Sequence, residues 1–423
     1  MIAGLLLSTT FFVLGQRADN IINSKEVERI ERVLSADDMM GRRAFTPNID
    51  KAAAFIADEF KKSGLQTAPG SNGYLQEFIM VRSKFISASA VLDGNAVDQR
   101  SVMVITCEPK LTMDQNSGYD KVVIAGDVNL QQEARKLVRG NRNTVAFVNK
   151  SFAGSFGNLT RLKSSMFKKA TNVVFFLTDT EPASFSVEAV HEITEQKLSN
   201  VVGMLPGKSK KDEYVIFSAH YDHIGTGKPV NGDSIFNGAN DDAAGTTAVM
   251  MLAKYFKALN NNERTLVFAA FTAEEVGGFG SQYFSRQFEP EKVVAMFNIE
   301  MIGTESKWGK NSAFITGYEK TDMGAIMQKN LKGTGFTFYP DPYPQQQLFY
   351  RSDNATLARL GVPAHTVSTA KMEGEPHYHK PSDEVKTLDL TNMTEVIKAI
   401  ALSSKSIVAG KETPTRVKVE ELR

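Results

Sequence analysis

The strongest constraint in this chain is a rhythm in its C-terminal half. From residue 200 onward, short apolar runs alternate with longer helical patterns. "EYVIFSA" (213–219), "RTLVFAAF" (264–271), "EKVVAMFNIE" (291–300) and "VPAHTVS" (362–368) read as buried strands. Each is short, continuous and rich in β-branched or aromatic residues. Helical spacing fills 243–259, about 321–332, 353–360 and 391–408. Strands joined through helices need crossover connections, so the pattern predicts an α/β fold with a mostly parallel central sheet and helices on both faces.

Upstream, Val27, Ile30, Val33 and Leu34 recur at helical spacing within 24–37, and "DKAAAFIADEFKKSG" predicts a second helix ending at Gly64. The stretch 85–195 has an alternation of its own. "KVVIAG", "TVAFVN" and "NVVFFL" read as strands, with "LQQEARKLVRG" and "LTRLKSSMFKKA" as helices. The expected organisation is a main domain in two parts, 22–84 and 196–410, with a small α/β or β-rich domain inserted at 85–195. Residues 411–423 read as a polar tail.

Composition narrows the function. With 42% hydrophobic and 23% charged residues, the 423-residue chain can bury large cores. A net charge of +1 and the lack of a long basic run argue against nucleic acid as a partner. "GKSKK" at 207–211 reads as a solvated turn between strands. The opening run "MIAGLLLSTTFFVLG" is short for a membrane span and reads as a signal peptide over 1–16. The expectation is therefore a secreted or periplasmic protein with no stable membrane span once that segment is removed. Cys107 is the single cysteine and can form no internal disulfide. It is expected to be a small buried apolar residue.

Chemistry gathers where the predicted strands end. His220 and Asp222 follow "YVIFSA", Glu274 and Glu275 follow "TLVFAAFT", and Glu300 ends "VVAMFNIE". In open α/β sheets, sites form at the carboxyl ends of the strands. His220 is a candidate metal ligand, and Asp222 can hold its other ring nitrogen. His223 competes with it, but has no acid two residues further on. "FNGANDDAAG" sets Asp241 and Asp242 side by side among small residues. One aspartate can bridge two metal ions roughly 3.5–4 Å apart, and an aspartate can also cap the helix that follows. Adjacent glutamates can divide metal binding from general-base work. In "EPHYHKPSDE", His377 and His379 are both candidate ligands. Taken one at a time, these motifs also suit a capped helix, an acidic loop or an exposed turn.

Their joint order resembles the secreted di-zinc exopeptidase family, which includes bacterial zinc aminopeptidases and glutamate carboxypeptidases. Glutaminyl cyclases and the transferrin receptor ectodomain are relatives in the same group. The resemblance covers about 24–84 and 196–408, through "LSADDMMGRRAFTP", "HYDH", "NGANDDAAG", "TAEEVGGFGS", "NIEMIG", "YRSD" and "YHKPSDE". It implies the zinc-exopeptidase (phosphorylase/hydrolase-like) fold and two zinc ions per chain. Asp241 would bridge them, with Glu275 and His379 on one ion and His220 and Glu300 on the other. His379 is preferred to His377 because the family's histidine is followed four residues later by an acid, here Asp383. Glu274 would be the general base, Asp222 would orient His220, and the Asp241–Asp242 peptide bond would be cis. Peptides would be the substrates, most simply cleaved at a free amino terminus.

The chain departs from the family pattern at two of these places. Glu300 stands where the family usually has aspartate, and Asn354 where it usually has histidine. Tyr350 is expected near the oxyanion, and Arg351 can anchor a substrate carboxylate. That leaves a carboxypeptidase or dipeptidase, a glutaminyl cyclase-like acyltransferase and an inactive receptor-like ectodomain as alternatives. The insert at 85–195 stands where some relatives carry a protease-associated domain, which its sequence matches poorly; it is expected to act as a structural flap or lid, or in substrate selection.

Overall fold

The computed structural model describes residues 20–71 and 73–422. The signal-peptide reading of 1–16 lies outside them. No helix among the described residues is long and apolar enough to cross a membrane. The chain divides into two compact units, one made of the residues up to Glu77 together with those from Leu198, the other of Phe78–Lys197.

The first unit is α/β with a largely parallel sheet. Its central strands lie in the order Ala364–Ser368, Val293–Ile299, Lys210–His220, Arg264–Phe271, each parallel to the next. Antiparallel neighbours flank these four strands, Ser312–Ile315 beside Ala364–Ser368 and residues 201–205 beside Arg264–Phe271, and Thr337–Pro340 pairs in parallel beyond Ser312–Ile315. Side chains alternate across this sheet, as the two-residue period of a strand requires. Val215, Phe217, Leu266, Phe268 and Phe297 pack with helices Ser24–Leu34, Pro47–Lys62, Ala244–Leu259 and Leu390–Ser403. Ile216, Val267, Phe271 and Met296 face the other way, against Phe284, Leu357 and Ala358. Phe217 centres the first layer, stacked on Phe256, Phe268 and Phe297 at centroid distances of 5.3, 5.6 and 5.0 Å.

Helix ends follow local chemistry. Asn23 caps Ser24–Leu34 through Glu26 N at 3.1 Å, and Asp389 caps Leu390–Ser403 through Asn392 N at 3.0 Å. Pro47 opens the Pro47–Lys62 helix, and Gly64, at φ 71°, follows its end. The polar segment after residue 410 is no loose tail. Fully buried Arg264 donates to Ile407 O, Glu412 O and Thr413 Oγ1, Arg416 donates to Val293 O, and Val417 is buried. A cation at the start of a buried strand recruits carbonyls from wherever the chain can bring them.

The Phe78–Lys197 unit has its own sheet, ordered Val102–Ile105, Val173–Leu177, Thr144–Val148, Asp120–Ile124. The three predicted strands and helix Leu130–Arg139 are present. The second predicted helix is not: 156–163 is a 3-10 stretch, and Met166–Phe167 is a short strand. One face of the sheet packs on Leu130, Ala134, Phe156 and Leu159, the other on Phe185, Val187, Leu111 and Met113. Cys107 is half-buried beside the first of these clusters. The unit begins earlier than 85 because strands Leu75–Leu92 and Phe185–Leu205 run without a break through both junctions.

Candidate metal centre

Three strand ends and two loops deliver the site. His220 is the last residue of its strand; Glu274 and Glu275 follow Arg264–Phe271, and Glu300 follows Val293–Ile299. Backbone in the left-handed region marks the turns that aim them: Ala273 at φ 60°, Met301 at 52° and His379 at 55°. Such conformations are costly for side-chain-bearing residues and gather at functional sites. The Asp241–Asp242 peptide bond is cis.

Asp241 is central. Its Oδ1 lies 3.3 Å from His220 Nε2, and its Oδ2 lies 3.2 Å from His379 Nε2. One carboxylate thus turns an oxygen toward each of two groups. On one side, His220, Asp241 and Glu300 bring their donor atoms within 4.8 Å of one another. On the other, His379 Nε2 is 3.3 Å from Glu275 Oε2. His223 joins this second side, with Nδ1 2.8 Å from Glu275 Oε1. His377 does not join; its Nδ1 meets Ser382 Oγ at 3.0 Å.

The neighbours of these groups hold them from behind. Asp383 accepts from the backbone of Asn240 and Asp241 at 2.8 and 3.0 Å, which fixes the aspartate turn. Asp242 accepts from Gly245 N, in the first turn of the Ala244–Leu259 helix, at 2.9 Å and from Met301 N at 3.1 Å. Asp222 acts on His220 chiefly through its backbone oxygen, 3.2 Å from Nδ1, while its carboxylate stands 3.8 Å away. That carboxylate instead receives Glu274 N at 3.0 Å and anchors the glutamate turn. Arg42, from the N-terminal "MMGRR", is fully buried and donates to the carbonyls of Leu34, Tyr221, Asn237 and Gly238. Sequence reasoning noted this stretch without assigning it work; a guanidinium clasping four carbonyls has no local signature.

One expectation changes. Tyr350 packs against Phe349 and Arg359 and is not among the residues lining the cavity at the cluster. The phenol that does line it is Tyr378, whose ring stacks on His379 at 3.9 Å. Its place directly before His379 was the available signal. Arg351 does line the cavity, together with Phe314, Leu348 and Met372. Asn354 is a clamp, buried and donating to Phe349 O at 3.0 Å while accepting from Thr366 Oγ1 at 2.9 Å.

Electrostatics show what the cluster is suited to hold. Burial pushes Glu300 and Asp222 up to about 7 and Glu274 well above the usual carboxylate range, with Asp353 adding to the rise in Glu274. Burial also acts on Glu275, but its contacts with His223 and His379 outweigh it and bring it down to about 2. His379 is raised to about 10 by Asp241 and Glu275. Acids here outnumber bases and compete for positive charge. His220 Nε2, Glu275 Oε1 and Glu300 Oε2 are buried with no hydrogen-bond partner of good geometry. Buried polar atoms are rarely left so, and divalent cations between these donors would satisfy all of them.

Residues 200–403 match Peptidase family M28. That stretch carries the motifs that resemble the zinc-exopeptidase family. Among curated proteins, the chain is 24% identical over 249 residues to the aminopeptidase YwaD of Bacillus subtilis, covering 57% of this chain and 51% of that one. It is 29% identical over 229 residues to leucine aminopeptidase 1 of Trichoderma harzianum, covering 50% and 55%. It is 35% identical over 112 residues to a probable zinc metalloprotease of Pyricularia oryzae, covering 26% and 22%. The chain thus spans about half, or less, of the length of these relatives. In fold it is similar to an aminopeptidase from Aneurinibacillus, with a TM-score of 0.56, 16% identity and coverage of 97% and 98%. A second solved structure, a zinc aminopeptidase from Bacillus subtilis, gives a TM-score of 0.53, 17% identity and coverage of 93% and 97%.

Proposed function

We propose that the chain is a zinc-dependent aminopeptidase that removes residues from the free amino terminus of peptides. The observation that supports this most is Asp241, with one oxygen toward His220 and the other toward His379. Two zinc ions per chain fit that arrangement, held by His220, Asp241 and Glu300 on one side and by Asp241, Glu275 and His379 on the other. Bound there, zinc would acidify a water and polarise the scissile carbonyl. Glu274 takes the proton of the attacking water and returns it to the leaving amine, since its raised pKa suits both halves of that exchange. Asp222 keeps Glu274 in place through the backbone bond at 3.0 Å. Phe314, Leu348, Met301 and Met372 give the cavity an apolar wall for the departing residue's side chain.

Arg351 on the same cavity supports a second reading, a carboxypeptidase or dipeptidase that captures a terminal carboxylate. Glutaminyl cyclase-like relatives favour a tryptophan-lined pocket, whereas the single Trp308 here stacks on Tyr339 at 4.1 Å and is not among the residues lining the cavity, which counts against a cyclase. Export, read from the apolar start of the sequence, belongs to the same proposal; N-terminal sequencing of the secreted protein checks it.

The test compares peptides blocked at either end, with zinc-loaded and chelator-treated protein. Cleavage that needs a free amino group, is lost on chelation and returns with zinc is the expected result. Glu274→Gln is expected to lower the rate by about 10²–10⁴-fold with zinc content unchanged. Cleavage that needs a free carboxylate instead would establish the second reading. No cleavage by fully zinc-loaded protein would overturn both.

A further inference from the structure

His223 is the one imidazole at the cluster that the family resemblance leaves without a role. Its place is built rather than incidental. Beyond the strand end at His220, Arg42 holds the Tyr221 carbonyl, and His223 N donates to Arg42 O at 3.3 Å while Arg43 bridges to His223. These contacts fold the segment back on itself and bury the His223 ring completely. Gly238 makes the room: a Cβ there would stand 2.5 Å from His223 Cγ, and its φ of +59° suits glycine alone.

From that position Nδ1 lies 2.8 Å from Glu275 Oε1 and 3.9 Å from Asp241 Oδ2, and the ring meets the His379 ring edge-on at 5.7 Å. His379 Nε2 stands 3.2 and 3.3 Å from the same two carboxylates. Two donors each about 2.1 Å from a single zinc cannot be much more than about 4 Å apart. The separations of both imidazoles from these two carboxylates meet that limit, and His223, Asp241 and Glu275 bring donor atoms within 4.8 Å of one another. Nδ1 of His223 is buried without a hydrogen bond of good geometry, a gap that a cation at this position would fill.

We infer that His223 is a fourth protein ligand, through Nδ1, for the cation held by Asp241, Glu275 and His379. The inference rests on the reading that the cluster binds zinc. It makes the two positions unequal. One would have four protein donors, the mark of a closed and firmly held zinc, and the other three, from His220, Asp241 and Glu300, with a place left open. The competing role, a donor that merely steadies Glu275, would leave the two positions alike.

Zinc titration of the full, chelator-stripped chain against a chromophoric chelator separates these roles. His223→Asn keeps an N–H donor near the Nδ1 position but is a poor zinc ligand; His223→Phe keeps the ring and removes both nitrogens. Wild type is expected to bind two zinc ions in distinct steps. Both variants are expected to weaken the tighter step by more than tenfold and leave the weaker step unchanged, with cobalt substitution showing an altered visible spectrum for that ion alone. If Asn restores wild-type binding, His223 is a donor and the inference is overturned. Equal weakening of both steps in a folded variant, checked by circular dichroism, overturns it too, in favour of packing. Wild type that binds no zinc would instead remove the metal reading on which it rests.

Discussion

Asp241 and Lys163 are both ionisable side chains almost closed to solvent, one in each compact unit. Asp241 lies among the imidazoles of His220, His223 and His379, which hold its carboxyl well below the usual range against the effect of burial. Lys163 has only the face of Phe85 above it, at 5.1 Å, and among the described residues no carboxylate pairs with it. Burial therefore pushes its ammonium down to about 8. His191, edge-on to the same Phe85 ring, is brought down to about 4 by burial and by Lys163. The two units thus bury charge to different ends. Opposite charges brought together in the first make a place for cations, whereas unpaired charge in the second only lowers stability.

The comparison breaks most visibly at glycine. Gly238→Ala forces a Cβ to 2.3 Å from Asp241 O and 2.5 Å from His223, at positive φ. A loss of roughly 2–4 kcal/mol in urea denaturation is expected, together with weaker zinc binding. Gly157→Ala in the other unit meets nothing within 4 Å and is expected to change stability by less than about 0.5 kcal/mol. Similar effects from both would mean that the site is no more tightly built than the insert.

Lys163→Met sharpens the second half of the contrast. The folded-state pKa is about 8 against an ordinary lysine value of 10.5, so the native state binds fewer protons than the unfolded chain between those values. Wild-type stability should rise as pH climbs from about 8 toward 10.5, and Met should remove that slope. At pH 7 the variant is expected to be more stable by about 1–3 kcal/mol. A melting temperature that falls instead would show that the cation–ring contact outweighs desolvation.

The smallest effect is at His191. A folded pKa of about 4 against 6.5 means that stability is lost as pH falls below about 6.5, because the unfolded chain takes up the proton first. His191→Leu is expected to gain about 1 kcal/mol at pH 5 and almost nothing at pH 7.5. Equal gains at both values would point to packing rather than protonation.

Much of the site could be read along the chain because its parts follow strands that are themselves unmistakable. Arg264–Phe271 is buried at every residue, so its apolar run identifies it and places Glu274 and Glu275 just past its end. Where the signal failed, the elements were half-exposed or non-local. Strands Leu75–Leu92 and Phe185–Leu205 mix buried and exposed residues over a great length and offer no apolar run to notice. Tyr350 is the phenol that the sequence offers near the oxyanion, and only the loop path puts Tyr378 on His379 instead. The segment after 410 looked detached because its anchors, Arg264 and Gly361, sit far away in sequence.

By itself, then, the sequence determined the α/β alternation, the edge of the sheet that bears the chemistry and the identity of the acids delivered there. These follow from periodicity and from what comes next to a strand end, both local properties. The tertiary structure decided which histidine nitrogen faces which carboxylate oxygen, that His223 rather than His377 turns inward, and that Arg42 ties the ligand loops together. Such choices depend on ångström separations between distant segments, and those exist only once the cores have packed.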